Sequence, residues 1–196
     1  MLHHTEAVAR GAKKTWIVAD LPSKSYETPA MAAENAGRLI QAGADAVKVE
    51  GGRECQAIIE AILAAGFPLI GHLGMLPQRV VEEGGYRIKG KGETEAASLL
   101  EDALTLDRLG VSAIVLELVH PPLAETITCR VAAPTVGIGS GPACDGQILV
   151  LHDVIGLFPW FRPRFAKARA NVADDITHAA AAFVASVREA KPAPDG

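Results

Sequence analysis

The sequence predicts an α/β fold, a (βα)8 TIM-type barrel in which about six of the eight strands are present. Three observations predict it. Short apolar runs rich in β-branched residues alternate with longer helical stretches along all 196 residues, the signature of parallel strands joined by helices. The strand runs are apolar on both alternating positions, as in a sheet covered on both faces. The runs also end in polar residues: Asp20, Glu50, His72, Glu117 and Asp153. In a barrel, such ends converge on one mouth, where the active sites of this fold are built. In an open doubly wound sheet they would spread along an edge, with ligands gathered at one switch point.

Each element follows from its pattern. The chain opens in a helical stretch, "HHTEAVARGAKK", and "TWIVAD" (15–20) is the first strand. Residues 27–43 have helical periodicity, and Gly43 suits a helix stop. The strand at 44–50 precedes a helix at 53–66 closed by Gly66, and "FPLIGH" (67–72) is the third strand. "LGMLPQRVVEEGGYRIKGKGE" reads as a long exposed loop from its glycines and lysines. Residues 94–110 form an amphipathic helix. A strand at 111–117, a short helix at "PPLAETITCRV", and strands at 133–140 and 148–153 follow. A last helix, 174–190, precedes the tail "KPAPDG". The predicted organisation is one incomplete barrel domain over 1–190 and a polar, frayed tail over 191–196.

Composition narrows the class. Hydrophobic residues make up 49% of the chain, enough for one domain with a sizeable core. The net charge of −4 and the lack of a basic patch argue against a nucleic-acid partner. No apolar run is long enough for a membrane span, and the first residues carry no apolar signal segment. Cys55, Cys129 and Cys144 are odd in number and lack metal-ligand spacing, which fits packing in a reduced, cytoplasmic setting.

The stretch "AVKVEGG" (46–52) raises the chemical question. Val47 and Val49 point one way, Lys48 and Glu50 the other. Burying two charges is costly unless they pair or bind something. A rim position facing a shared polar site resolves this, and a structural ion pair is the plain alternative.

Taken in order, "VADLP" (18–22), "AGADAVKVEGG" (42–52), "GHLGMLPQ" (71–78), "GGYRIKGKG" (84–92), "IVLELV" (114–119), "GIGSGPACDGQILVLHD" (137–153) and "PRFAK" (163–167) resemble the ketopantoate hydroxymethyltransferase (3-methyl-2-oxobutanoate hydroxymethyltransferase) family across essentially the whole chain. The resemblance implies a barrel of the phosphoenolpyruvate/pyruvate superfamily and a homo-oligomer, in this family a decamer. It also implies Mg²⁺-dependent transfer of a one-carbon unit from 5,10-methylenetetrahydrofolate to 3-methyl-2-oxobutanoate, giving 2-dehydropantoate. By motif, Asp20 is a metal ligand lying against the substrate and Glu50 a second metal ligand. Lys48 contacts the substrate, His72 lines the same pocket, and Glu117 is the catalytic base.

The chemistry suits the residue types. Removing a proton beside a ketone builds negative charge on the ketone oxygen, which a Lewis-acidic cation stabilises. Mg²⁺ needs only one or two protein carboxylates. Lysine offers a point charge to an anionic substrate. Glu117 stands among Val115, Leu116, Leu118 and Val119, and an apolar setting strengthens a carboxylate as a base. Taken alone, His72 reads better as a core histidine bonded to a backbone carbonyl, and it is the match of the surrounding "GHLG" that gives it a pocket role. "GIGSG" reads as a tight turn near the folate side, with a phosphate cradle as the other use of such glycines. His152 and Asp153, as neighbours on a strand, face opposite ways and read as structural.

Two departures accompany the match. The family's Gly-Asp-Ser motif, which supplies a further metal-binding aspartate and a substrate-contacting serine, is absent from these residues. The expectation is therefore a barrel lacking its first two βα units, with unpaired edges at "TWIVAD" and "ILVLHD" and with little or no activity as an isolated chain. The stretch "LPSKSY" (21–26) is also more polar than is usual in the family. Two other readings compete: an inactive paralogue or partner subunit, and a Mg²⁺-dependent carbon–carbon lyase acting on 2-oxo acids.

Overall fold

The computed structural model describes residues 1–82, 84–161 and 163–190, so the predicted tail lies outside the described residues. These fall into two compact units, Met1–Ile148 and Leu149–Gly196.

The first unit contains a six-stranded sheet in the order β1-β2-β3-β4-β5-β6, every neighbouring pair parallel. Its strands are β1 Val18–Asp20, β2 Ala46–Glu50, β3 Leu69–Gly74, β4 Ala113–Glu117, β5 Thr135–Ile138 and β6 Gly146–Gln147. Spatial order equal to chain order is the winding of a half-barrel. A doubly wound sheet would reverse direction at a switch point. The helices are α1 Leu2–Gly11, α2 Pro29–Gln41, α3 Gln56–Ala64, α4 Glu93–Leu109 and α5 Pro121–Arg130.

Local chemistry sets the helix ends. Thr28 caps α2, accepting a hydrogen bond from the Met31 N–H, and Pro29 occupies the first turn, where its missing donor costs nothing. Gly43 and Gly66 follow α2 and α3 with φ of 103° and 83°, so both predicted stops occur where the left-handed backbone ends a helix.

The strand alternation sorts the core into two layers. Val47, Val49, Leu69, Leu73, Ile114 and Leu116 pack outward against Ala36, Leu39, Ile59, Ile62, Leu106 and Ile127 of the helices. The opposite sheet face holds a smaller cluster of Ala46, Ile70, Val115 and Ile138. Lys48, Glu50 and His72 lie on this second face, two residues along from its apolar members.

Three expectations change. The stretch 148–153 is not a strand: the sixth strand is Gly146–Gln147, and Leu151–Val154 forms a short helix, α6. Asp153 is therefore not a strand end. Periodicity cannot separate a short apolar strand from a turn of helix, and here the apolar Ile148, Leu149, Val150 and Leu151 are exposed rather than packed in a sheet. The free edge at this side of the sheet is accordingly β6. The predicted exposed loop after His72 also begins inside the fold: β3 runs on to Gly74, and Met75 and Leu76 are buried.

The second unit holds α6 and α7, Val172–Glu189. His152 stacks on Phe158, with ring centroids 5.0 Å apart, and Phe158 meets Trp160 at 5.6 Å. Among the described residues no helix is long and apolar enough to cross a membrane.

Candidate active site

Four consecutive strands deliver one side chain or more each to the same face at their C-terminal ends. The register aligns Asp20 with Lys48, Glu50 with His72, and Glu117 with Gly74. Because Gly74 has no side chain, nothing from its own layer separates His72 from Glu117. The close approach requires glycine: a Cβ there would stand 2.1 Å from the Glu117 carbonyl oxygen, and φ is 98°.

The side chains form a chain of contacts. Lys48 Nζ lies 3.3 Å from Asp20 Oδ2 and 3.0 Å from His72 Nδ1. His72 Nε2 lies 3.3 Å from Glu117 Oε2. Glu50 Oε1 stands 3.8 Å from His72 Nδ1, and Glu50 Oε2 accepts a 3.0 Å hydrogen bond from the Gln78 N–H. An ammonium group only donates, so His72 Nδ1 accepts from Lys48, and in the neutral ring the proton sits on Nε2, facing Glu117. That contact is close but not aligned for a hydrogen bond, so Nε2 is a buried polar atom with no hydrogen-bond partner among the described residues.

Burial is graded along this chain. The side chains of Glu50 and His72 are 3% exposed, that of Glu117 14% and that of Asp20 45%. Burial pushes the Glu50 carboxyl above its usual range; the Gln78 N–H opposes this, while the neighbouring Asp20 charge adds to it. Tyr26, half buried beside Glu50, is pushed up to about 12, by burial first and the Glu50 charge second.

The geometry bears on a metal. Among the described residues, no three or more His, Cys, Asp or Glu side chains are placed to hold an ion together. A pair of hard oxygen donors does exist: Asp20 and Glu50 sit at adjacent strand ends, close enough for one charge to disfavour the other. That donor set fits Mg²⁺, which uses one or two carboxylates and completes its shell with water and substrate oxygens.

Sequence reasoning missed several members. Gln78 ends "GHLGMLPQ" yet drew no role; it bonds Glu50 through its N–H, and its side chain bonds the Leu21 carbonyl and Tyr26. Ser140 of "GIGSG" is fully buried; its hydroxyl donates to the Leu116 carbonyl (2.7 Å) and accepts from the Val119 N–H (2.9 Å). It staples the backbone around Glu117, where Leu118 takes a φ of 48°, and is thereby committed away from any phosphate. His152 and Asp153 belong to α6, in the second unit.

Residues 1–193 match the family model described as ketopantoate hydroxymethyltransferase. The chain belongs to this family. Relatives named 3-methyl-2-oxobutanoate hydroxymethyltransferase include one from Pyrobaculum islandicum, 52% identical over 96% of this chain and 72% of its own length. Others come from Moorella thermoacetica, at 48% identity over 97% and 72%, and from Syntrophus aciditrophicus, at 46% over 96% and 70%. Among solved structures, this chain resembles a protein from Burkholderia cenocepacia described as a phosphonomutase. The TM-score is 0.60 at 16% identity, covering 97% of this chain and 77% of the other. It also resembles phosphonopyruvate hydrolase in complex with oxalate and Mg²⁺, with TM-score 0.53 at 15% identity, covering 95% and 65%. At these identities the likeness is one of fold alone, and the predicted barrel class stands.

Proposed function

We propose that this chain transfers a hydroxymethyl group to 3-methyl-2-oxobutanoate from 5,10-methylenetetrahydrofolate and water, giving 2-dehydropantoate and tetrahydrofolate. The observation that carries the reading is the single-faced cluster at the ends of β1–β4, where Lys48, Glu50 and Glu117 surround one histidine and Asp20 joins through Lys48. The family match favours it over the lyase and the inactive paralogue.

In this reading water frees the folate methylene carbon as formaldehyde, both of its C–N bonds breaking and tetrahydrofolate leaving with a proton on each nitrogen; Glu117 takes the proton from C3 of the 2-oxo acid, the resulting carbon nucleophile adds to the formaldehyde carbon, and the formaldehyde oxygen takes up that proton as the new hydroxyl. His72 stands behind Glu117 and presents its Nε2–H. Lys48 donates to the anionic substrate as a point charge and holds Asp20 and the His72 tautomer. Asp20 and Glu50 are the residues that would hold Mg²⁺, which when bound supplies Lewis-acid polarisation to a 2-oxo acid. The reading includes assembly as a homo-oligomer and a cytoplasmic setting, both following the family resemblance.

The test is direct: the purified chain receives Mg²⁺, 3-methyl-2-oxobutanoate and 5,10-methylenetetrahydrofolate, and 2-dehydropantoate is measured. Product is expected with Mg²⁺ and is lost on chelation, returning when Mg²⁺ is restored. No product from a folded sample, or product that survives chelation, contradicts the reading.

A further inference from the structure

We propose that Gln78 is a positioning residue that holds the Glu50 carboxylate and the turn after Asp20 in one fixed arrangement for a divalent cation. The proposal rests on the reading of Asp20 and Glu50 as cation ligands. Gln78 lies in a single 3₁₀ turn, Pro77–Arg79, directly beyond β3. Its N–H donates to Glu50 Oε2 at 3.0 Å. Its Nε2 donates at 3.0 Å to the carbonyl of Leu21, the residue after Asp20, and its Oε1 accepts from the Tyr26 hydroxyl at 3.2 Å. One residue after β3 thus bonds the end of β2 and the loop after β1.

The elements around it make this a defined link. Met75 and Leu76, just before the turn, are buried, and the Pro77 ring restricts the turn's backbone. The Leu21 N–H bonds the Lys48 carbonyl at 3.0 Å, so both backbone groups of Leu21 are spoken for. A glutamate carboxylate rotates in a broad, two-fold well, and one N–H bond to Oε2 selects an orientation. Glu50 Oε1 is then 3.8 Å from His72 Nδ1, beyond hydrogen-bond reach, and remains available to a cation. Mg²⁺ demands near-ideal octahedral geometry, so small shifts of either carboxylate appear in its affinity.

The experiment compares the wild-type chain with Gln78→Met, Tyr26→Phe, their double variant and Asp20→Ala. Mg²⁺ affinity is read by calorimetry, Mn²⁺ by electron paramagnetic resonance, and the thermal midpoint without metal. Gln78→Met keeps the side-chain length and the backbone N–H to Glu50, and removes the amide bonds to Leu21 and Tyr26 that fix where that N–H stands; it should weaken Mg²⁺ about 10-fold, the usual scale for residues that orient a metal's ligands. Tyr26→Phe should cost less, and the double variant no more than Gln78→Met, because Tyr26 acts through Gln78. A merely structural role would lower the thermal midpoint and leave the affinity of the folded protein unchanged. Equal affinity for wild type and Gln78→Met, with Asp20→Ala still weak, overturns this proposal alone. Should Gln78→Met fail to fold, wild-type affinity in Tyr26→Phe overturns it. Equal binding by wild type and Asp20→Ala, or none by either, overturns the cation reading and this proposal with it.

Discussion

Glu117 and Lys48 face the same histidine, and their chemistry separates them. Glu117 reaches toward Nε2 and Lys48 donates to Nδ1. If Glu117 is the base, Glu117→Gln keeps the shape and loses the proton acceptor. Deuterium exchange at C3 of 3-methyl-2-oxobutanoate, followed by NMR without folate, should then fall by roughly 10²–10⁴, while substrate still binds. Exchange at the wild-type rate would assign the base elsewhere. Lys48 was legible from sequence as a charge on an otherwise apolar strand. Its contact with His72 was not, because it depends on the register that brings two strands side by side.

The loop between β3 and α4 is held by its far end. Glu95, in the first turn of α4, receives Arg87 through both carboxylate oxygens, at 2.8 and 3.3 Å, and the Gly90 N–H at 2.7 Å. The Arg87 hydrogen bonds, first, and the Gly90 N–H hold its carboxyl below the usual range. The folded chain therefore binds this proton less readily than the unfolded chain, and the stabilisation is present above the ordinary carboxylate range and lost as pH falls through the folded value. Glu95→Gln should speed hydrogen exchange in residues 86–92 near neutral pH, and its difference from wild type should shrink in acid. A gap that widens in acid would contradict the assignment. At the opposite end of this segment Gly74 is indispensable for two reasons, its φ of 98° and the 2.1 Å approach of a Cβ to the Glu117 carbonyl. Left-handed strain alone costs about 1–3 kcal/mol. Gly74→Ala should lower stability by at least that much in denaturant titration, and it should reduce C3 exchange in the fraction that still folds. A substitution without effect would show that the β3–β4 mouth is loosely built.

In the first unit, β1 bonds only β2, and β6 bonds only β5, so both edges of the sheet present backbone groups that lack a strand partner among the described residues. Such edges favour pairing with another chain. Sedimentation of the purified chain over a range of concentrations should therefore show self-association. A monomer throughout that range would mean that the edges are covered in another way. The singly wound order of the sheet also explains why the site forms at all: each step along the chain moves one strand sideways in the same sense, so successive C-terminal ends stay neighbours.

The sequence by itself determined the alternation of strands and helices, the five parallel strands up to β5, the helix stops and the residues at four strand ends. These follow from local periodicity, turn chemistry and the two-residue alternation of a strand, none of which needs a partner. Asp20, Glu50, His72 and Glu117 were legible because a polar residue ending an apolar strand stands out within its own few residues. Only the tertiary structure decided that Leu151–Val154 is a helical turn and that a short β6 precedes it, since a brief apolar run satisfies either geometry. It also decided the Gln78 link to Glu50 across 28 positions and the Ser140 staple around Glu117. A backbone N–H donor or a buried hydroxyl has no pattern of its own in sequence; its role exists only where folding brings an unmatched partner within about 3 Å.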